Sequence, residues 1–462
     1  MVIVLSISLI NVLSLNKRPS KFKEIISGWG NYPQIKAFIR EPKTIDELKI
    51  LVKLYSSIAR GKGRSYGDSS INELNTIKMS HFNRFLSFDK NNGLLVAQAG
   101  VVLDDVIKTF LPKGWFPHVT PGTKFVTIGG MVASDIHGKN HYIKGSFQNH
   151  IKWIDIINYD GEILRCSSKE NSDLFNWTIG GMGLTGIILN IAFYLNPIET
   201  SFIRKTTLVT KNIIQTIELF ENNISSEYSV AWIDCYSKGS SIGRSLLELG
   251  EHTKGDELED SLKKNKLNLP KTNYLQIPFY FPEFILNNFS VRLFNFLYYN
   301  IGKISKKIKI VNIYKYFYPL DRIQNWNKIY GKNGFAQFQC VIPLTNSKQG
   351  ISELLYCISN SGSSSFLAVL KRFGKEQGFF SFPMEGYSLA LDFPINKKNL
   401  LLMESLDKIT IKYGGRFYLA KDSRMRNSIF EESDKRIKEF RDFRKHKLKL
   451  KFNSCQSKRL DL

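Results

Sequence analysis

Apolar side chains recur along this chain in short runs whose spacing keeps changing, and each change marks an element. A run from Leu48 to Ile58 opens behind Thr44 and Glu47, whose capping-box spacing predicts a helix start. Gly93 to Gly100 reads as a strand that leads into a helix over Leu103 to Leu111. Ile154 to Asn158 and Glu162 to Arg165 flank Asp160-Gly161, a hairpin signal. Ser172 to Trp177 predicts a helix and the β-branched run Ile187 to Phe193 a strand. A second unit starts near Ser201, with strands at Ala231 to Asp234 and Phe335 to Ile342 and a helix over Lys348 to Ser359. Mixed short strands and helices predict an α+β fold. No internal repeat and no low-complexity linker interrupts it.

Between these elements lie four glycine-rich loops: Ala59 to Asp68, Pro121-Gly122-Thr123, Thr127 to Gly130, and Gly180 to Gly186. Any one of them could be a surface turn. Glycine also lets backbone N–H groups come close to phosphate oxygens, and four such loops within one domain's length suggest one long phosphate-bearing cofactor. Gly181, Gly183 and Gly186 match the dinucleotide spacing G-x-G-x-x-G, but that fingerprint needs a strand before it and a helix after it. The predicted order is the reverse, which excludes a Rossmann domain and leaves a dinucleotide held by several loops.

Composition narrows the reading. The 462 residues suffice for two domains, and 43% hydrophobic with 13% aromatic content is that of a folded protein. The formal charge of +24 favours anionic partners, unless it is only a solvated basic surface. No zinc spacing, RNP-type motif or heptad repeat supports nucleic acid as that partner. Five scattered cysteines without C-x-x-C, and histidines without ligand spacing, argue against a metal site or a disulfide framework. Val2 to Leu15 is apolar but shorter than the ~20 residues of a spanning helix and lacks signal-peptide flanks. We read residues 1–25 as an apolar extension, neither cleaved nor spanning. Tyr274 to Tyr299 holds ten aromatics in 26 residues, followed by Lys303, Lys306, Lys307, Lys309 and Lys315. This suits a membrane interface, or equally a core helix followed by a basic turn.

Several blocks occur in order: Gly28-Trp29-Gly30, Arg64 to Asp68, Asp135-Ile136-His137-Gly138-Lys139-Asn140-His141, Gly183 to Ile187, Phe317-Tyr318-Pro319-Leu320-Asp321, Asp392-Phe393-Pro394 and Ala420-Lys421-Asp422-Ser423-Arg424. From about Gly28 onward they closely resemble the flavoprotein oxidase subunits of decaprenylphosphoryl-β-D-ribose 2-epimerases, in the vanillyl-alcohol oxidase (p-cresol methylhydroxylase-type) FAD superfamily. The resemblance implies an FAD-binding domain of that type over 26–197, a sheet-and-helix substrate (cap) domain over 198–415, and a return to the first domain over 416–462.

The resemblance also implies FAD contacts at Arg60, Gly61, Lys62, Gly63, Arg64, Ser65, Tyr66, Gly67 and Asp68. It extends them to Gly122, Thr127, Ile128, Gly129, Gly130, Ser134, Asp135, Ile136, His137, Ile187 and Tyr418. His137, Lys421 and Tyr66 become candidate catalytic residues, with Lys421 a cation to balance charge on the flavin. Lys139, Lys371, Lys421, Gln337 and Gln339 become the substrate pocket. The two glutamines alternate on a strand and so share a face. Many superfamily members attach FAD through a histidine in the first glycine loop; Arg64-Ser65-Tyr66-Gly67-Asp68 has none, so the cofactor is expected to be non-covalent. Ala390 stands where mycobacterial members carry cysteine, and Ser388 and Tyr387 replace their asparagine and tryptophan.

The implied activity is oxidation of the C2 hydroxyl of a polyprenylphosphoryl-β-D-ribose, with a short-chain reductase completing an epimerisation to an arabinose donor for cell-envelope glycans. An aldonolactone oxidase is the enzyme alternative, and a non-catalytic, membrane-associated flavin-binding subunit the alternative of another class. The implied setting is peripheral, on an anionic bacterial inner membrane, at its cytoplasmic or periplasmic face.

Overall fold

The computed structural model describes residues 23–363, 365–375 and 378–462, apart from the Glu283 side chain; the apolar run Val2 to Leu15 lies outside this range. Helix Ile45–Leu54 starts where expected: Thr44 Oγ1 accepts from Glu47 N at 3.2 Å. The apolar run does not continue as helix to Ile58. Ser57 Oγ donates to the Tyr55 carbonyl, a local bond that competes with helix, and Ile58–Arg60 becomes a strand. That strand joins Ile39–Arg40 and Thr76–Lys78 in a small parallel sheet.

A second, antiparallel sheet has the order 163–166, 151–157, 187–197, 94–98, 85–89, with Trp115–Pro117 paired to the end of Ile187–Pro197. Its Asp160-Gly161 hairpin and the helix Ser172–Thr178 match the sequence reading. Gly180 to Gly186 links that helix to strand Ile187–Pro197, so the helix precedes the glycines and the strand follows them.

The third sheet has eight antiparallel strands in the order 308–312, 202–210, 245–252, 228–233, 368–373, 386–394, 335–343, 416–417. Its period-two alternation separates two faces. Ala231, Leu247, Phe338, Leu370, Leu389 and Leu391 pack beneath helices 213–222, 347–361 and 397–412. The alternate positions Trp232, Glu248, Gln337, Gln339, Lys371 and Asp392 face the first two sheets across a cavity.

After strand Arg416–Phe417 the chain packs against its beginning. Phe452 shares a core with Leu48, Val52 and Ile77. Arg459 forks to Asp68 Oδ1 at 2.8 Å and Asp422 Oδ2 at 2.9 Å, and its Nη1 donates to the Met425 carbonyl. Tyr66 N donates to the Ala420 carbonyl at 2.9 Å, so the first glycine loop and the Lys421 segment are bound together.

Candidate functional site

One cavity of ≈590 Å³ runs between the glycine loops and the open face of the eight-stranded sheet. The glycines let the loops close on one another. A Cβ at Gly61 would lie 2.2 Å from Thr127 Oγ1, and one at Gly129 would lie 2.7 Å from the Ala99 Cβ. At Gly122 a Cβ would meet nothing within 4 Å, because this backbone faces open space. Lys62, Gly63, Arg64, Ser65 and Tyr66 complete this end, with Gly130, Ser134, Ile136 and Tyr418 on its walls. Tyr418 is fixed by donating its hydroxyl proton to the Ser134 carbonyl at 3.0 Å.

The remaining expected FAD contacts lie behind this wall. Arg60 turns away to donate to the Ser27 carbonyl and Ser70 Oγ. Gly67 abuts the Asp422 backbone, and Asp68 is held by Arg459. Ile128 and Ile187 are core residues with no exposed surface. Asp135 is buried, accepting from Ser381 Oγ and from Gln148 N. These groups support the loops that line the cavity.

Where the loops meet the sheet stand His137, Lys139, Gln337, Gln339, Lys371 and Lys421. Lys421 Nζ sits 3.8 Å above the Tyr66 ring centre. Burial pulls its amine below the usual lysine range while the neighbouring Asp392 carboxylate opposes that shift. Burial raises Asp392 in turn, and an amide hydrogen bond from Gln337 and the charge of Lys421 hold it down. Burial likewise lowers Lys139 and Lys371 to about 8, with Lys139 contributing repulsion to Lys371. Lys139 Nζ donates to the Tyr316 carbonyl at 2.6 Å.

His137 is pushed well below its ordinary value by burial first, then by Lys371, His141 and Lys421. It is a neutral imidazole. Gln339 Nε2 approaches its Nε2 at 3.2 Å; with the amide donating, Nε2 accepts and Nδ1 carries the proton. That Nδ1 is buried without a hydrogen-bond partner among the described residues. A buried N–H of this kind costs about 1–3 kcal/mol unless something accepts it.

Sequence reasoning gave Asp392, Trp232 and Glu248 no role, and all three line the cavity. The available signal was alternation: Ser388, Ala390 and Asp392 share the open face of strand Gly386–Pro394. Tyr387 belongs to the opposite face, under the helices, with its hydroxyl on Glu221.

A glycine-walled end, an unpartnered donor and five basic against three acidic lining residues fit a group carrying both a polar ring system and phosphates. Residues 37–167 match the FAD binding domain family. Over 388 residues the chain is 37% identical to decaprenylphosphoryl-β-D-ribose oxidase of Mycolicibacterium smegmatis, spanning 83% of this chain and 84% of that protein.

The chain belongs to the decaprenylphosphoryl-β-D-ribose oxidase family.

It is thereby placed among FAD-binding oxidoreductases of the p-cresol methylhydroxylase-type superfamily. Lactone oxidases are more distant relatives. Mouse L-gulonolactone oxidase is 29% identical over 147 residues, 31% of this chain and 33% of that protein. A putative D-arabinono-1,4-lactone oxidase of Neurospora crassa is 26% identical over 175 residues, 36% of this chain and 31% of that protein. No helix among the described residues is long and apolar enough to cross a membrane.

Proposed function

We propose that this protein oxidises the C2 hydroxyl of a polyprenylphosphoryl-β-D-ribose to the 2-keto sugar, and that a short-chain reductase then returns the ketone with inverted configuration. Its partners on this reading are the lipid-linked sugar phosphate, that reductase and an anionic membrane surface, with FAD held non-covalently by the 26–197 and 416–462 segments and substrate by 198–415 together with Lys139 and Lys421. The observation that carries the reading is that glycine loops and three buried lysines, Lys139, Lys371 and Lys421, line one cavity.

Bound FAD supplies the two-electron acceptor for the C2 hydride. Lys139 and Lys371 are suited to the phosphodiester, as compact cations with several donors. Gln337 and Gln339 are suited to sugar hydroxyls. The oxidation removes the hydroxyl proton, to a base, as well as the C2 hydride; Lys421 and the Nδ1–H of His137 would be donors for negative charge on the substrate oxygen as that proton leaves and on the ring system that accepts the hydride. A small uncharged lactone would leave Lys139 and Lys371 without an anion.

The test is anaerobic bleaching of the flavin absorbance. Polyprenylphosphoryl ribose should bleach it, while L-gulono- and D-arabinono-lactone should not. Bleaching by a lactone alone would make it a lactone oxidase, and no bleaching by any of the three a non-catalytic flavin-binding subunit.

Two expected outcomes belong to the same reading. Acid precipitation should release the flavin into the supernatant; a yellow washed pellet would contradict non-covalent binding. The second concerns pH. Lys139 and Lys371 are protonated below about 8 and neutral above it. Because kcat/KM reports free-enzyme groups, kcat/KM for the phosphorylated substrate should fall as pH rises through that value. A flat profile between pH 7 and 9.5 would count against lysine recognition of the phosphate.

A further inference from the structure

Helix Asn288–Ile304 carries a broad apolar face yet is buried along one narrow stripe. Val291, Asn295 and Tyr299 form that stripe. Part of it is polar: Asn295 Nδ2 donates to Asp234 Oδ1 at 3.0 Å and the Tyr299 hydroxyl to the Thr210 carbonyl at 3.0 Å. Away from it Phe289 is 76% exposed, Phe296 53%, Ile301 58% and Ile304 84%. The preceding segment adds exposed Phe279 and Phe284, and the following edge strand adds Ile308. A broad apolar helix face normally packs on a core, and an exposed apolar surface of this extent marks a contact site.

Charge identifies the occupant. From Phe284 to Leu320 the chain has six basic residues and no acidic one. Arg292, Lys303, Lys306 and Lys307 are exposed on and just beyond the helix. Rings and aliphatic chains among ammonium groups fit the acyl–headgroup boundary of an anionic bilayer. A predominantly polar protein partner would not use this face.

The same helix also closes the cavity. Phe294 and Tyr298 are lining residues; Tyr298 packs on Trp232 at 4.7 Å and Phe294 on Phe366 at 5.7 Å between ring centres. One element therefore carries both the exposed apolar face and the aromatic rim of the catalytic cavity. We infer that helix Asn288–Ile304 seats the protein on an anionic lipid surface with the cavity rim at headgroup level, so that the prenyl chain of the substrate stays in the bilayer while its sugar phosphate enters. The second half of this statement rests on the function proposed above; the docking itself does not.

The FAD-loaded full-length protein, as wild type and as the variant F289S/F296S/I301S/I304S, is sedimented with vesicles of phosphatidylcholine alone or with 30% phosphatidylglycerol. Wild type should bind the anionic vesicles, lose binding in 0.5 M NaCl, and bind neutral ones weakly. The variant should bind anionic vesicles at least about tenfold less. None of the four substituted residues lines the cavity. Both proteins should therefore oxidise a detergent-soluble short-chain prenylphosphoryl ribose at equal rates, while the variant alone slows on long-chain substrate embedded in vesicles. Equal vesicle binding by the two proteins overturns the docking. So does absence of binding by wild type, which would assign the face to a protein partner. Inactivity of both on the ribose substrates, with vesicle binding intact, would instead refute the proposed function.

Discussion

Lys421→Ala protein should purify yellow and reduce its flavin about 10²–10³-fold more slowly than wild type when substrate is added. Retention of colour follows from the shape of the glycine-walled end. Backbone from separate loops forms most of it, and Lys421 adds a single side chain at its edge, above the Tyr66 ring. The fold should tolerate the loss. Burial already raises Asp392, so without the ammonium that carboxyl takes up a proton instead of remaining a bare charge. The rate should not tolerate it, because a donor aimed where charge develops acts on the transition state more than on the bound ground state. His137→Ala should behave similarly, since its buried Nδ1–H has no acceptor in the protein among the described residues. Stopped-flow reduction of FAD-replete protein measures both. Wild-type rates would remove the two residues from the reaction, and colourless protein would reassign them to cofactor binding.

The second large effect lies outside the cavity. Arg459→Met should destabilise the protein by about 3 kcal/mol, at the low end for breaking a buried ion pair because the guanidinium is 25% exposed. The substitution leaves Asp68 and Asp422, both nearly buried, facing each other without a cation. These two carboxylates sit beside the first glycine loop and the Lys421 segment, so the loss should also loosen the cofactor. The urea midpoint of flavin release should drop in Arg459→Met and recover only in part in Arg459→Lys, whose single ammonium lacks the second nitrogen that reaches the Met425 carbonyl. An unchanged midpoint in Arg459→Met would show that the loop holds without the clamp.

Much of this was legible in the sequence because local signals and tertiary demands agree. Thr44 caps its helix, Asp160-Gly161 turns its hairpin, and Gly180 to Gly186 follow a helix and precede a strand. The break in the run Leu48 to Ile58 was missed because apolar content continues through it, while the stop comes from a serine side chain on the backbone. The substrate end was partly legible. Gln337 and Gln339 announce one face of a strand, but Trp232, Glu248 and Asp392 reach the same cavity from three other strands. Only sheet order, 245–252 beside 228–233 and 368–373 beside 386–394, brings them together. Arg60 and Asp68 show the converse: they lie within a cofactor-binding stretch, yet their side chains brace it from behind.

The pairing of Asp68 with Arg459 also sets an order of events in synthesis. The first glycine loop leaves the ribosome early, and the cation that clamps it follows 391 residues later. Lys421, which faces Tyr66 of that loop, is late as well. Until then the nascent chain holds a glycine loop with neither its clamp nor its opposing lysine. Tight cofactor uptake should therefore wait for the segment from Lys421 to Arg459.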